Sequence, residues 1–110
     1  MEPRLRAVVL NVAGLYFVRS QPEADPFNFL PRVRVPVLML NGRYDEYFPL
    51  ETSQVPMFRA LGVPPSQKRH VIYEDAHRVP RDQLIRETLA WYDRYLGPVA
   101  TTAKTRPARP

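Results

Sequence analysis

Val35-Pro36-Val37-Leu38-Met39-Leu40-Asn41-Gly42-Arg43-Tyr44-Asp45-Glu46-Tyr47-Phe48-Pro49 is the stretch that decides how this chain is read. Val37 to Leu40 is a short, continuous apolar run with a β-branched start. Asn41-Gly42 stops it, as expected for a strand buried on both faces of a parallel sheet. Asp45 follows just past the strand's carboxyl end. In open α/β sheets that edge is where ligands and catalytic groups gather, so an acid there is a candidate site residue. A second run, His70 to Tyr73, leads into Glu74-Asp75-Ala76-His77 and puts a histidine in the equivalent place. Two neighbouring parallel strands would bring Asp45 and His77 to one edge of the sheet.

The pattern GxxDxxxP (Gly42, Asp45, Pro49), with a histidine 32 residues after the acid on a strand-to-helix loop, resembles the C-terminal part of an α/β-hydrolase. More narrowly, Pro36 to Val99 resembles the end of bacterial serine hydrolases related to dienelactone hydrolases and prolyl-oligopeptidase-type peptidases. Similar segments also occur behind serine/threonine protein kinase domains. The resemblance implies a triad in the chain order Ser, Asp, His, with the serine on a GxSxG elbow upstream of the acid. No GxSxG occurs in these 110 residues. The expected architecture is therefore the C-terminal portion of an α/β-hydrolase fold over residues 1–98. It would have about three parallel strands and two helices, with a disordered basic tail over 99–110.

The same resemblance assigns roles. His77 would take the serine's proton and return it to the leaving group, because an imidazole with a pKa of roughly 6.5 exchanges protons in both directions near neutrality. Asp45 would accept the other ring N–H, fix the tautomer and stabilise the imidazolium. Ala76 stands where the family commonly has glycine, so the loop conformation there has to avoid positive φ. Glu74 and Asp75 crowd the same edge and are read as solvated turn charges; His70, inside a strand, is read as structural. Ser20, Ser53 and Ser66 lack an elbow's flanking glycines, and an oxyanion hole would need N–H groups from the elbow and an earlier loop. The implied substrate is a small ester or peptide, bound by a longer protein. The alternative is a non-catalytic remnant or small interaction module, associating through an open sheet edge.

Working outward, Ala7 to Val12 reads as the first strand. Ala13 to Arg34, with Pro22, Pro26 and Pro31, reads as an irregular connection near the site edge. Tyr16, Phe17, Phe27 and Phe29 either wall a substrate or, as preferred, anchor that loop to the core. Leu50 to Leu61 reads as a helix with Leu50, Val55, Met57, Phe58 and Leu61 inward, an irregular first turn before Pro56 and Gly62 as its stop. Lys68 to Tyr73 is the last strand. Pro80 to Leu96 is the clearest helix, with Leu84, Ile85, Leu89, Tyr92, Tyr95 and Leu96 recurring at three- and four-residue spacings and Gly97-Pro98 ending it.

Composition excludes several classes. A chain without cysteine has no disulfide, thiolate nucleophile or cysteine-based zinc site. Two histidines, at 70 and 77, match no zinc-binding spacing such as HExxH, and no cofactor is expected. Of the formal charge of +5, Lys104, Arg106 and Arg109 supply three, leaving +2 on the body. The body's arginines form no stripe, so nucleic acid is not an expected partner. No apolar run approaches the roughly 20 residues that span a bilayer, and Ala7 to Val12 is too short for a signal peptide's core. The expectation is no membrane partner and a cytoplasmic location.

Overall fold

The computed structural model describes residues 4–15, 21 and 25–97. Three strands, β1 (Val8–Asn11), β2 (Val37–Gly42) and β3 (Lys68–Tyr73), form one parallel sheet in the order β1-β2-β3. Registers run Val8 beside Val37 and Val37 beside Lys68. All three strands therefore finish at the same edge.

β2 is buried along its whole length. Its alternating side chains serve two cores. Val37 and Met39 pack on one face with Leu30, Met57, Leu61 and Val63. Leu38 and Leu40 pack on the other with Val79 and Trp91. Four apolar side chains withdrawn from water at about 1.5–3 kcal/mol each make this strand the axis of the molecule.

The helices divide between the two faces. The 3-10 turn at Leu30–Arg32, which follows the one-turn helix α1 (Pro26–Phe29), and the helix α2 (Val55–Ala60) serve the first face. The helix α3 (Arg81–Leu96) covers the second. Among the described residues, two helices exceed one turn, and the fold is a partial three-layer α/β sheet of the expected class.

Three details differ from expectation. β2 runs on through Asn41 and Gly42, which pair with Ile72 and Tyr73. Pairing with β3 overrides the turn propensity of Asn-Gly. The irregular first turn expected before Pro56 is present as the π-helical turn Leu50–Gln54, which feeds α2, so Pro56 lies in the first turn of α2, where its missing N–H costs little. Gly62 is not a left-handed stop, since Gly97 is the only described glycine with positive φ. A Cβ at 62 would lie 1.9 Å from the Pro31 carbonyl oxygen, so it is crowding that requires glycine there.

The face of α3 is the third. Trp91, absent from the expected apolar set, is its most buried residue at 5 % exposure, supported by Leu84, Tyr92 and Tyr95. Ile85, Leu89 and Leu96 are about half exposed. The helix is apolar over more of its circumference than three strands can cover. Spacing alone gave both stripes equal weight.

In the connection before β2, Leu30 rather than Phe29 anchors the loop. Phe29 is exposed, with the Arg32 guanidinium 5.7 Å from its ring. Tyr16, Phe17, the Phe27 side chain and the segment 99–110 lie outside the described residues. No helix among the described residues is long and apolar enough to cross a membrane.

Candidate functional site

Asp45 and His77 meet at the carboxyl edge of β2 and β3, with Asp45 Oδ2 2.7 Å from His77 Nδ1. Each follows its strand by a few residues, and the parallel register between the strands brings the loops together. The Asp45 side chain is wholly withdrawn from solvent, whereas that of His77 is 35 % exposed.

A buried carboxylate needs donors. The backbone N–H groups of Tyr47 (2.8 Å) and Phe48 (3.0 Å) both donate to Asp45 Oδ1. With Oδ1 held by its own loop, Oδ2 is left for the imidazole. Charge-assisted bonds of this kind are about twice as strong as neutral ones and fix orientation as well. An acceptor opposite Nδ1 puts the proton of the neutral ring on Nδ1 and leaves Nε2 as the basic nitrogen. The ring is flanked by Tyr47, edge-on at 4.8 Å between centroids, and by Phe48 at 5.8 Å.

The loop before His77 approaches β2 at Gly42. A Cβ at 42 would lie 1.8 Å from the Ala76 carbonyl oxygen and 2.4 Å from that of Asp75. Backbone bonds from Arg43 N–H to Tyr73 O (2.8 Å) and from Tyr44 N–H to Asp75 O (3.0 Å) zip the acid loop to the histidine loop. Ala76 itself avoids positive φ. Glycine is required across the gap, at 42, and not beside the histidine.

The neighbouring acids are engaged elsewhere. Glu74 accepts from Arg43 Nε at 2.7 Å and Tyr44 Oη at 3.1 Å; the Arg43 bond foremost holds its carboxyl below the usual range. Asp75 takes the Ala76 N–H at 2.8 Å and pairs with Arg78 at 3.3 Å. Both are turn charges, as read from sequence.

Neither described serine sits as a nucleophile. Ser53 is buried and donates its hydroxyl to Leu15 O at 2.6 Å. Ser66 lies in the 3-10 turn Pro65–Gln67 that precedes β3, at the opposite end of the sheet from His77. Ser20 lies outside the described residues.

Several contributors escaped the sequence reading. Asn41 is wholly buried. Its Nδ2 donates to Ala13 O at 2.8 Å, and its Oδ1 faces His70 Nε2 at 3.0 Å. The three strands are thereby linked, with His70, in the middle of β3, as a structural member whose pKa burial pushes down. Beside this tie Val12 is held at φ 55, strained for a β-branched residue, with its N–H on Leu40 O at 2.8 Å. Tyr47 and Phe48 could have been singled out from their place inside the acid loop. Asn41 gave no local signal. No group of three or more histidine, cysteine or acidic side chains suited to a metal ion occurs among the described residues.

No protein-family model matches the chain, and a search of curated proteins finds no match. Two solved structures are similar to it. The zinc-bound structure of a cold-adapted esterase from an Arctic intertidal metagenomic library is 25% identical, with a TM-score of 0.71. The native structure of such an esterase from the same kind of library is 24% identical, with a TM-score of 0.70. Each match covers 86% of this chain and only 40% of the esterase chain. The chain spans less than half the length of these esterases and shares the fold of that part.

Proposed function

We propose that these residues are the acid- and base-bearing portion of a serine hydrolase acting on small ester or peptide substrates. The observation that carries this reading is the 2.7 Å contact between a buried, doubly hydrogen-bonded Asp45 and Nδ1 of a partly exposed His77. It lies at the sheet edge where such chemistry is expected, on a fold shared with an esterase. His77 Nε2 would deprotonate a serine hydroxyl as it attacks the substrate carbonyl and then pass that proton to the leaving group. Asp45 would stabilise the imidazolium that forms between the two transfers.

The serine and the oxyanion hole would come from polypeptide beyond these 110 residues, since no GxSxG occurs within them. The finer kinship, with dienelactone hydrolases and prolyl-oligopeptidase-type peptidases, belongs to the same proposal and is supported by the GxxDxxxP pattern and its spacing to His77. A cytoplasmic location is proposed with it.

The test is covalent labelling of the longest in-frame product containing this sequence with a fluorophosphonate, which phosphonylates an activated serine. One labelled serine outside residues 1–110, lost in His77→Ala, is the expected result. Labelling that persists in His77→Ala, or falls on Ser53 or Ser66, contradicts it.

A second reading, association without catalysis, is favoured by two observations. Among the described residues β1 pairs on one side only, and Ile85 and Leu89 form an exposed apolar stripe on α3. Such a module would bind a strand along β1 and an apolar surface on α3. No labelling of any serine, with a stable stoichiometric complex, would support it.

A further inference from the structure

Gln54 is wholly buried and lies at the end of the π-helical turn Leu50–Gln54. Its single amide nitrogen donates to two carbonyl oxygens, Gly42 O and Phe48 O, each at 2.8 Å. Those carbonyls close the two ends of the loop that carries Asp45. Between them lie the two N–H groups that hold Oδ1 of the acid. Few side chains can donate twice to such a pair without carrying charge; Gln and Asn do so through NH₂, and only Gln has this reach. Among the described residues its Oε1 has no partner, so the contacts that hold the amide there are those its nitrogen makes.

The backbone around it is shaped to the same end. Gln54 N–H reaches Pro49 O at 3.2 Å and Val55 N–H reaches Leu50 O, the five-residue spacing of a π turn. π turns are rare and occur often at functional sites. Here the wider turn carries residue 54 beneath the acid loop.

We propose that Gln54 is a positioning residue for the Asp45–His77 pair. Its amide locks the loop so that Oδ2 stays on Nδ1 of the imidazole. The role rests on the acid–base reading for its purpose, but its physical content is the bond itself, which is measurable without turnover.

The test uses the ¹⁵N-labelled 110-residue chain at a pH where imidazole is neutral, reading the His77 tautomer and the exchange of its Nδ1–H by NMR, alongside thermal unfolding. In wild type the ring is expected as the Nδ1–H tautomer with a slowly exchanging proton. Gln54→Met, similar in volume and without donors, loses that slow exchange and shifts toward the tautomer mixture of Asp45→Asn while remaining folded. Gln54→Asn, one methylene shorter, falls between. Val63→Ala, a core change away from the loop, lowers the unfolding temperature and leaves His77 unchanged. A folded Gln54→Met with wild-type tautomer and exchange overturns the proposal and makes Gln54 a core amide only.

Should the variants fail to fold, the wild type still decides. The Gln54 side-chain NH₂ and the His77 Nδ1–H must exchange through one opening, with the same denaturant dependence; separate openings overturn the proposal. Loss of serine labelling in the longer protein bears on catalysis and leaves these readouts untouched.

Discussion

Replacing Gly42 by alanine tests how the fold holds the site. Real Cβ atoms essentially never come closer than 3.0 Å to a neighbour, so the Ala76 carbonyl must retreat by about 1.2 Å and that of Asp75 by about 0.6 Å. These are backbone atoms in the loop that carries His77, and no side-chain rotation relieves the clash. Overpacking of this kind costs about 1–3 kcal/mol. Weakening the bond from Tyr44 N–H to Asp75 O adds about 1 kcal/mol. A loss of about 2–4 kcal/mol is large against the 5–15 kcal/mol of a typical domain. At about 4–8 °C per kcal/mol, the midpoint should fall by about 8 °C or more.

Urea and thermal unfolding followed by circular dichroism measure that loss. Gly97→Ala is the matched control. Among the described residues nothing lies within 4 Å of its Cβ position, and the cost there is an L residue at φ 84, about 1 kcal/mol. Gly42→Ala must therefore be the more damaging, and must also weaken the Asp45–His77 bond, because a displacement of 1.2 Å is comparable with the whole tolerance of a 2.7 Å contact. A Gly42→Ala midpoint within 2 °C of wild type, taken as a tolerance of about 0.5 kcal/mol, would refute the claim that the two loops meet at residue 42.

Other expectations concern the supports of the sheet. Burial depresses the His70 pKa, so its contribution to stability is full above the unfolded value of roughly 6.5 and is lost as pH falls through the lower folded value. Urea midpoints should decline over that acid window, and His70→Gln should flatten the decline; an unchanged slope would count against burial as the cause. Lys68 Nζ donates to Phe58 O at 2.7 Å and Leu61 O at 3.2 Å, capping the C-terminal end of α2 with a positive charge. Lys68→Met should cost about 1 kcal/mol in unfolding free energy, and no loss would mean that water replaces the cap. Leu89, 55 % exposed on α3, should tolerate Leu89→Asp within about 0.5 kcal/mol. A larger loss by thermal unfolding would mean that its face is covered.

The strands were legible because their signals are local. Val37 to Leu40 announces burial on both sides, and strand ends at a shared edge follow from parallel pairing, which is enough to bring Asp45 and His77 together. What escaped was set by tertiary neighbours. Asn41 and Gln54 are polar types that usually lie outside, and only the arrangement of carbonyls around them makes burial tolerable. Gly42 and Gly62 read as turn and stop residues, yet both are required by backbone passing overhead. Along α3, periodicity marked an apolar face without saying which part meets the sheet, and the bulk of Trp91 decided it.

The central claim, that Asp45 and His77 work as acid and base, is tested most directly by ester turnover. The longest in-frame product should hydrolyse a p-nitrophenyl ester, with kcat/KM reduced about 10³–10⁴-fold in Asp45→Asn and at least as far in His77→Ala, both variants retaining the wild-type unfolding transition. Turnover unchanged in either folded variant would contradict the account.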